Sequence, residues 1–303
     1  MKQIIRIVAG LTLSCVIAGL LMGAVYVVTA KAKQRNAELA TQETMLRLLG
    51  YSRAHPAPAT LAFRSVWRYV VTTATGEKYS AYVVPVGAAD GEEGFRLLSL
   101  ALDGSPRGEP ATLPLARGSS ADARAREAAV RAIAGATARV EFGDEMVVAR
   151  EDGRRAAYLL PGEFQGFKTR IRVILALDPD FRILGLEIME HEEDPGLGAE
   201  ITRGYFKNQF RGKTMEKLRT LGVVKAPLPD DYRRALEARG NFTTKELAAI
   251  ESRYQESDIY AITGATISSR SVTDGVRGMV ARFASRLAVL DRAVASAHLV
   301  AAY

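Results

Sequence analysis

Four hydroxyl side chains crowd into seven residues at Thr263-Gly264-Ala265-Thr266-Ile267-Ser268-Ser269. Such a run suits a phosphate. The glycine lets backbone come close, the hydroxyls donate hydrogen bonds, and a following helix offers free N–H groups and the positive end of its dipole. The same run also suits an ordinary helix N-cap, where Ser and Thr are common. The residues alone leave both readings open. The chain carries its own comparison in Ala134-Gly135-Ala136-Thr137-Ala138-Arg139, which repeats the Gly-Ala-Thr core. There, alanine stands in the place of Thr263 and Arg139 in the place of Ser268, and the stretch follows a helix instead of opening one. A bare Gly-Ala-Thr is therefore cheap, and the flanking hydroxyls carry the information.

A second stretch, His191-Glu192-Glu193-Asp194-Pro195-Gly196-Leu197-Gly198, follows a run that reads as a strand. Pro195 and Gly196 suit a tight turn, and Gly198 permits close backbone approach. One histidine among carboxylates lacks the spacing of a metal site. The acidic run reads as a solvated strand end, and no metal is expected.

These two stretches need a scaffold, and the hydrophobic pattern supplies one. Val66–Thr73 and Tyr79–Val86 read as strands around Thr75-Gly76, and Met146–Ala149 and Ala156–Leu160 as strands around Asp152-Gly153. Ile171, Val173, Leu175 and Leu177 alternate along Thr169–Leu177, which turns at Asp178-Pro179-Asp180 and returns as Ile183–Met189. Helices are expected at Asn36–Leu49, Ala121–Ile133, Gly204–Phe210 and Met215–Leu221. Another should open at the capping box Thr243-Thr244-Lys245-Glu246. A long last helix is expected over Ser271–Val294, with Val272, Val276, Met279, Val280, Phe283, Leu287, Leu290 and Val294 on one side. Leu102–Ser120, rich in Gly, Pro and Ser, reads as a surface loop. The order of elements predicts an α+β fold, with helices around an antiparallel sheet.

Ile7–Ala30 carries no charge, and as a helix it would be roughly 36 Å long, enough to cross a hydrocarbon core of about 30 Å. The run is longer than the apolar core of a signal peptide and ends at no small-x-small cleavage site. An uncleaved single span is expected, with the large trailing domain outside the cytoplasm. The single cysteine, Cys15, rules out an intrachain disulfide, and the absence of a Cys-x-x-Cys-His sequence rules out c-type haem. The net charge of +7 comes from scattered Lys and Arg. That pattern suits anionic lipid or an acidic partner better than nucleic acid, and no nucleic-acid partner is expected.

The two stretches together resemble a known family. The C-terminal half, roughly residues 145 to 290, is similar to the FMN-binding domain of the G subunit of the Rnf electron-transport complex and the C subunit of the sodium-translocating NADH:quinone reductase, and lies closer to the former. A strand pair comes first. Pro195-Gly196-Leu197-Gly198 follows, then Phe206, Phe210 and Gly212-Lys213, and last Thr263–Ser269, with one N-terminal span ahead of them all. The resemblance implies an anchor at 1–30, a membrane-proximal α+β region at 31–140 and an FMN-binding domain at 141–295. It implies FMN joined by a phosphoester to the hydroxyl residue two places after Gly-Ala-Thr, here Ser268. Thr263, Gly264, Ala265, Thr266 and Ser269 would support it, and Gly196, Leu197 and Gly198 would lie against the flavin. It further implies maturation by a flavin transferase that uses FAD and magnesium, and location in a bacterial inner membrane with the soluble domain on the outer face. The implied role is electron relay among other membrane subunits of an ion-translocating redox complex, not stand-alone catalysis. A flavin-binding sensor or assembly scaffold is the alternative. Tyr260 stands where the family commonly has an aspartate, and the resemblance leaves the segments 51–140 and 214–258 without a role.

Overall fold

A computed structural model describes residues 2–87, 93–115 and 118–303. One helix, α1, runs from Lys2 to Leu48. It is long and apolar enough to cross a membrane, and its apolar window is wholly exposed within the protein. The expected break between the span and a helix at Asn36 is absent. From Lys31 to Leu48 the chain holds no Gly or Pro, so nothing interrupts the hydrogen-bond ladder.

Residues 48–303 form a separate unit built on one eight-stranded sheet. Its strands are β1 (Ala62–Thr72), β2 (Lys78–Gly87), β3 (Glu93–Ala101), β4 (Ala111–Thr112), β5 (Arg139–Glu151), β6 (Arg154–Gln165), β7 (Arg170–Leu177) and β8 (Ile183–Glu190). Their order is β4-β3-β2-β1-β5-β6-β7-β8, and every neighbouring pair is antiparallel. The boundary expected at 140/141 falls inside β5, whose residues pair with β1 from Ala62↔Arg150 to Thr72↔Arg139. The sheet is thus continuous across that boundary. The expected hairpin at Asp152-Gly153 is present with φ +49° and +75°, the left-handed pair that a two-residue hairpin turn uses.

Helices cover both faces. On one, α2 (Ala123–Ala134) packs over Trp67, Tyr69, Val71, Ala81 and Val83. On the other lies α7 (Thr266–Ser296), and all eight apolar residues expected to share its inner side are buried. Among them Phe283 meets Tyr158 edge-on at 5.1 Å and Phe181 at 5.7 Å. Gly275 lets α7 come down on β6, since a Cβ there would strike the ring of Phe164. Between β8 and α7 the chain forms α3 (Gly204–Lys207), α4 (Met215–Thr220), α5 (Asp230–Glu237) and α6 (Thr244–Tyr254). A short parallel pair of β9 (Val223–Val224) and β10 (Ile259–Tyr260) accompanies them. The expected capping box opens α6: Glu246 accepts from the Thr243 N–H at 2.9 Å, and Thr243 Oγ1 accepts from the Glu246 N–H.

Candidate functional site

Helix α7 begins five residues earlier than its apolar stripe predicts, at Thr266 instead of Ser271. The hydroxyls of this turn explain the difference, because they bond along the helix and do not compete with it. Ser269 Oγ donates to the Ala265 carbonyl at 2.9 Å and accepts the Ile262 N–H at 3.0 Å. Thr273 Oγ1 donates to the Ser269 carbonyl at 2.8 Å. Ser269 therefore joins the incoming loop to the helix from a fully buried position. The residue before the helix, Ala265, caps nothing with its side chain, which leaves the N–H groups of the first turn without intrahelical acceptors. Gly264 sits at φ +81° and turns the chain into the helix.

The earlier start also moves Ser268. Expected just ahead of the helix, it lies inside the first turn, 3% exposed, and its hydroxyl donates to Glu193 Oε2. Thr266, the first helical residue, is half-buried, and Thr263 is exposed. Among the described residues, no hydrogen-bond partner is found for the Thr266 hydroxyl.

The turn at Pro195 to Gly198 faces this helix end. The Leu197 and Ala199 N–H groups both donate to the Asp194 carbonyl, at 3.1 and 3.0 Å, and Gly196 has φ +72°. Gly198 has no room for a side chain, since a Cβ would lie 2.7 Å from Glu193 Oε2 and 2.8 Å from Ser268 Oγ. Leu197 reaches over Gly264, where a Cβ would stand 2.9 Å from Leu197 Cδ2. The two stretches that the sequence nominates thus meet, Leu197 against Gly264 and Gly198 against Ser268.

Sequence reasoning misses one of their neighbours. Glu193, expected in a solvated strand end, is 4% exposed. Its Oε1 accepts the N–H groups of Phe167 at 2.8 Å and Lys168 at 3.2 Å, from the hairpin between β6 and β7. The burial comes from segments 26 and 75 residues away in sequence, so no local pattern announces it. Adjacency to Pro195-Gly196-Leu197-Gly198 is the available hint. The second Gly-Ala-Thr lies elsewhere: Gly135 closes α2 at φ +104°. That is the end where a helix dipole repels anions.

Two further residues stabilise the approach to the site. Buried Gln209 clamps Tyr260, accepting its N–H at 2.8 Å and donating to its carbonyl at 3.2 Å. Lys213, 1% exposed, donates to the carbonyls of Tyr254, Gln255 and Ser257 at 3.0, 2.6 and 2.6 Å. Burial, reinforced by Lys217 nearby, pulls its ammonium down to about 8.

The arrangement fits the phosphate end of FMN. It offers an uncapped helix N-terminus, a half-buried hydroxyl in its first turn and a glycine turn pressed against both. It also fits a planar ring, since Phe167, Leu197 and Ile267 are 53%, 46% and 59% exposed on the three segments that meet here.

The chain is similar to known proteins over its C-terminal part. Residues 166–281 match the FMN-binding domain family. The chain is 27% identical over 132 residues to the G subunit of the proton-translocating ferredoxin:NAD(+) oxidoreductase complex of Clostridium ljungdahlii, covering 44% of this chain and 56% of that protein. It is 31% identical over 133 residues to the G subunit of the Na(+)-translocating ferredoxin:NAD(+) oxidoreductase complex of Acetobacterium woodii, covering 44% and 51%. These matches span about half the length of each relative. Among solved structures, NqrC of Shewanella oneidensis aligns at 21% identity over 46% of this chain and 56% of that one, with a TM-score of 0.32.

Proposed function

We propose, from the premise that residues 166–281 form an FMN-binding domain, that this protein is a membrane-anchored electron-relay subunit of an ion-translocating redox complex, with FMN covalently attached. The observation that carries the reading is the meeting of the 196–198 turn with the uncapped N-terminus of α7 inside the matched segment. The relatives are named as subunits of complexes that couple ferredoxin and NAD(+) to ion translocation. We extend to this chain the same partnership with other membrane subunits. Helix α1 would anchor it in the inner membrane, with residues 48–303 on the outer face.

The acceptor hydroxyl is assigned to Ser268, the residue two places after Gly-Ala-Thr and within the first turn of α7. Ser268 Oγ donates to Glu193 Oε2, and Thr266 stands beside it at the first position of the helix as a supporting hydroxyl. A flavin transferase must open the contact with Glu193 to reach that oxygen. The bond formed would be Oγ–P on Ser268, and the bond broken the pyrophosphate of FAD, with AMP leaving and the hydroxyl proton passing to solvent. The α7 N–H groups would then hold the phosphate oxygens. Leu197, Ile267 and Phe167 would cover the ring and keep water from one side of it.

The flavin supplies the one- and two-electron chemistry, and the chain supplies attachment, orientation and partial exclusion of water. The test is co-expression with a flavin transferase. Yellow fluorescence should remain on the denatured polypeptide, and in membranes holding the neighbouring subunits the flavin absorbance should bleach when the complex receives electrons. Fluorescence that washes away on denaturation would refute covalent attachment. A bound flavin that never changes redox state during turnover of the complex would refute the relay.

A further inference from the structure

The segment 214–258, which the resemblance leaves without a role, lays α4 alongside α7 and leaves a cleft of about 490 Å³ between them. On α7, Asp274, Arg277, Gly278 and Ala281 recur at spacings of three and four residues, so they share one side of the helix, away from the buried stripe. The floor of the cleft is apolar. Leu218 is buried in the main core and Met215 packs against it half-buried, while Gly278 and Ala281 add little bulk from the helix.

The rim is cationic. Arg219 on α4 is exposed, and among the described residues it has no ion-pair partner. Arg282 lies over the floor, since a Cβ at Gly278 would stand 2.9 Å from its Nη1. It is exposed and likewise has no ion-pair partner among the described residues. Arg277 is held in place, because its Nη1 donates to the Leu221 carbonyl at 3.1 Å and to Asp274 Oδ1 at 3.2 Å. Among the described residues, Asp274 is the one carboxylate lining the cleft. Three guanidinium groups therefore surround an apolar floor with a single carboxylate among them, and Arg277 already engages it.

Exposed arginines alone would be an ordinary solvated surface, and an exposed apolar floor alone would name no occupant. Together they ask for two things at once. The planar forks of the arginines pair best with carboxylates, and Met215 and Leu218 are left to water until an apolar group covers them. A phosphate ion would meet the first demand and not the second. A protein segment that carries both carboxylates and an apolar side chain meets both. Its place matters for function. Asp274 comes six residues after Ser268, a rise of about 9 Å along the helix, so an occupant of the cleft sits beside the helix end described above.

We propose that the α4–α7 cleft is a docking site for an acidic segment of a partner protein. The segment sets an apolar side chain on Met215 and Leu218 and its carboxylates on Arg219, Arg277 and Arg282. Docking depends neither on which hydroxyl carries flavin nor on whether any does.

The test places the photo-cross-linking residue p-benzoylphenylalanine at Ala281, which is exposed at the cleft, in the full chain produced in its own cells. A second protein carries it at Ala74, exposed in the β1–β2 turn. Intact membranes are irradiated and the adducts mapped by mass spectrometry. Position 281 should yield an adduct on one segment of another polypeptide, with carboxylates next to apolar side chains, and position 74 should not. Arg219→Glu and Arg282→Glu should each lower that yield about threefold, the size of an exposed ion pair. Changing a facing carboxylate of the mapped segment to arginine should restore the yield with Arg219→Glu, which a general loss of folding would not allow. An adduct on lipid, on a second copy of this chain or on a segment without carboxylates would overturn the proposal. So would a yield at 281 no higher than at 74, or one that both arginine variants leave unchanged.

Discussion

Replacing Gly198 by alanine should cost far more than replacing its near neighbour Gly196, although Gly196 is the one with a strained backbone. The new Cβ at 198 would stand 2.7 Å from Glu193 Oε2, 2.8 Å from Ser268 Oγ and 2.9 Å from Glu193 Cβ, against an ordinary contact of 3.4–4 Å. Relief requires Glu193 to withdraw by about 0.7 Å, the gap between 2.7 and 3.4 Å, which is large beside the tolerance of a packed interior. The carboxylate cannot withdraw freely, because Phe167, Lys168 and Ser268 all bond to it. Overpacking costs about 1–3 kcal/mol, and weakening a hydrogen bond to a charged group adds about as much, giving roughly 2–6 kcal/mol. Gly196 has φ +72° and nothing within 4 Å of a Cβ, so Gly196→Ala carries only the left-handed backbone cost of about 1–2 kcal/mol. Urea unfolding reads both, followed by the emission of Trp67, the sole tryptophan and 6% exposed. In a Glu193→Ala background the cost of Gly198→Ala should fall by at least about half, since the main obstacle is gone. Equal costs at 196 and 198, or strict additivity of Gly198→Ala with Glu193→Ala, would refute this account of the cage.

Other parts of the fold make separate predictions. Phe283→Ala should lower stability by about 3–5 kcal/mol in the same urea assay, because it empties a buried position between Tyr158 and Phe181; an unmoved midpoint would mean that this side of α7 is not core. Lys213→Met should destabilise at pH 7 by leaving three carbonyls without their donor. The pH dependence of Lys213 has a definite sign. Its folded value, about 8, lies below the ordinary 10.5, so the unfolded chain binds more protons between the two. Wild-type stability relative to Lys213→Met should therefore rise as pH goes from 8 to 10.5, and fall back as pH drops through 8. A difference that is flat or falling over that window in paired unfolding curves would contradict it. Protease added to right-side-out vesicles should remove residues 48–303, and full protection there would contradict the proposed orientation.

Local signals were legible in the sequence. Asp152-Gly153 names its turn, because both residues tolerate positive φ. Thr243 and Glu246 name a helix start, and the spacing from Val272 to Val294 names the buried side of α7. Elements without a one-sided pattern were not. In β3, Leu97 lies in one core cluster while Leu98 and Leu100 lie in the other, so burial on both faces erases the alternation. The first half of β5, Arg139–Glu145, is too polar to read as a strand and is held by its pairing with β1. Helix α5 buries only Tyr232, Ala235 and Leu236 among charged residues. At the site, motif and location were legible, but the burial of Ser268 against Glu193 was not. Ser268 and Thr266 differ in burial because of Glu193 and Gly198, and that contact exists only once the sheet has brought residues 75 apart together.

The most direct test of the central claim is tandem mass spectrometry of the tryptic peptide Tyr254–Arg270, which contains every hydroxyl of the 263–269 run, taken from protein co-expressed with a flavin transferase. The peptide should carry the mass of FMN less water, and fragment ions should place it on Ser268. Ser268→Ala should abolish the addition, and Thr266→Ala should leave it on Ser268. An addition found on Thr266 or Ser269 would contradict the assignment of the acceptor, and an unmodified peptide in wild-type protein would contradict the covalent flavin on which the proposed function stands.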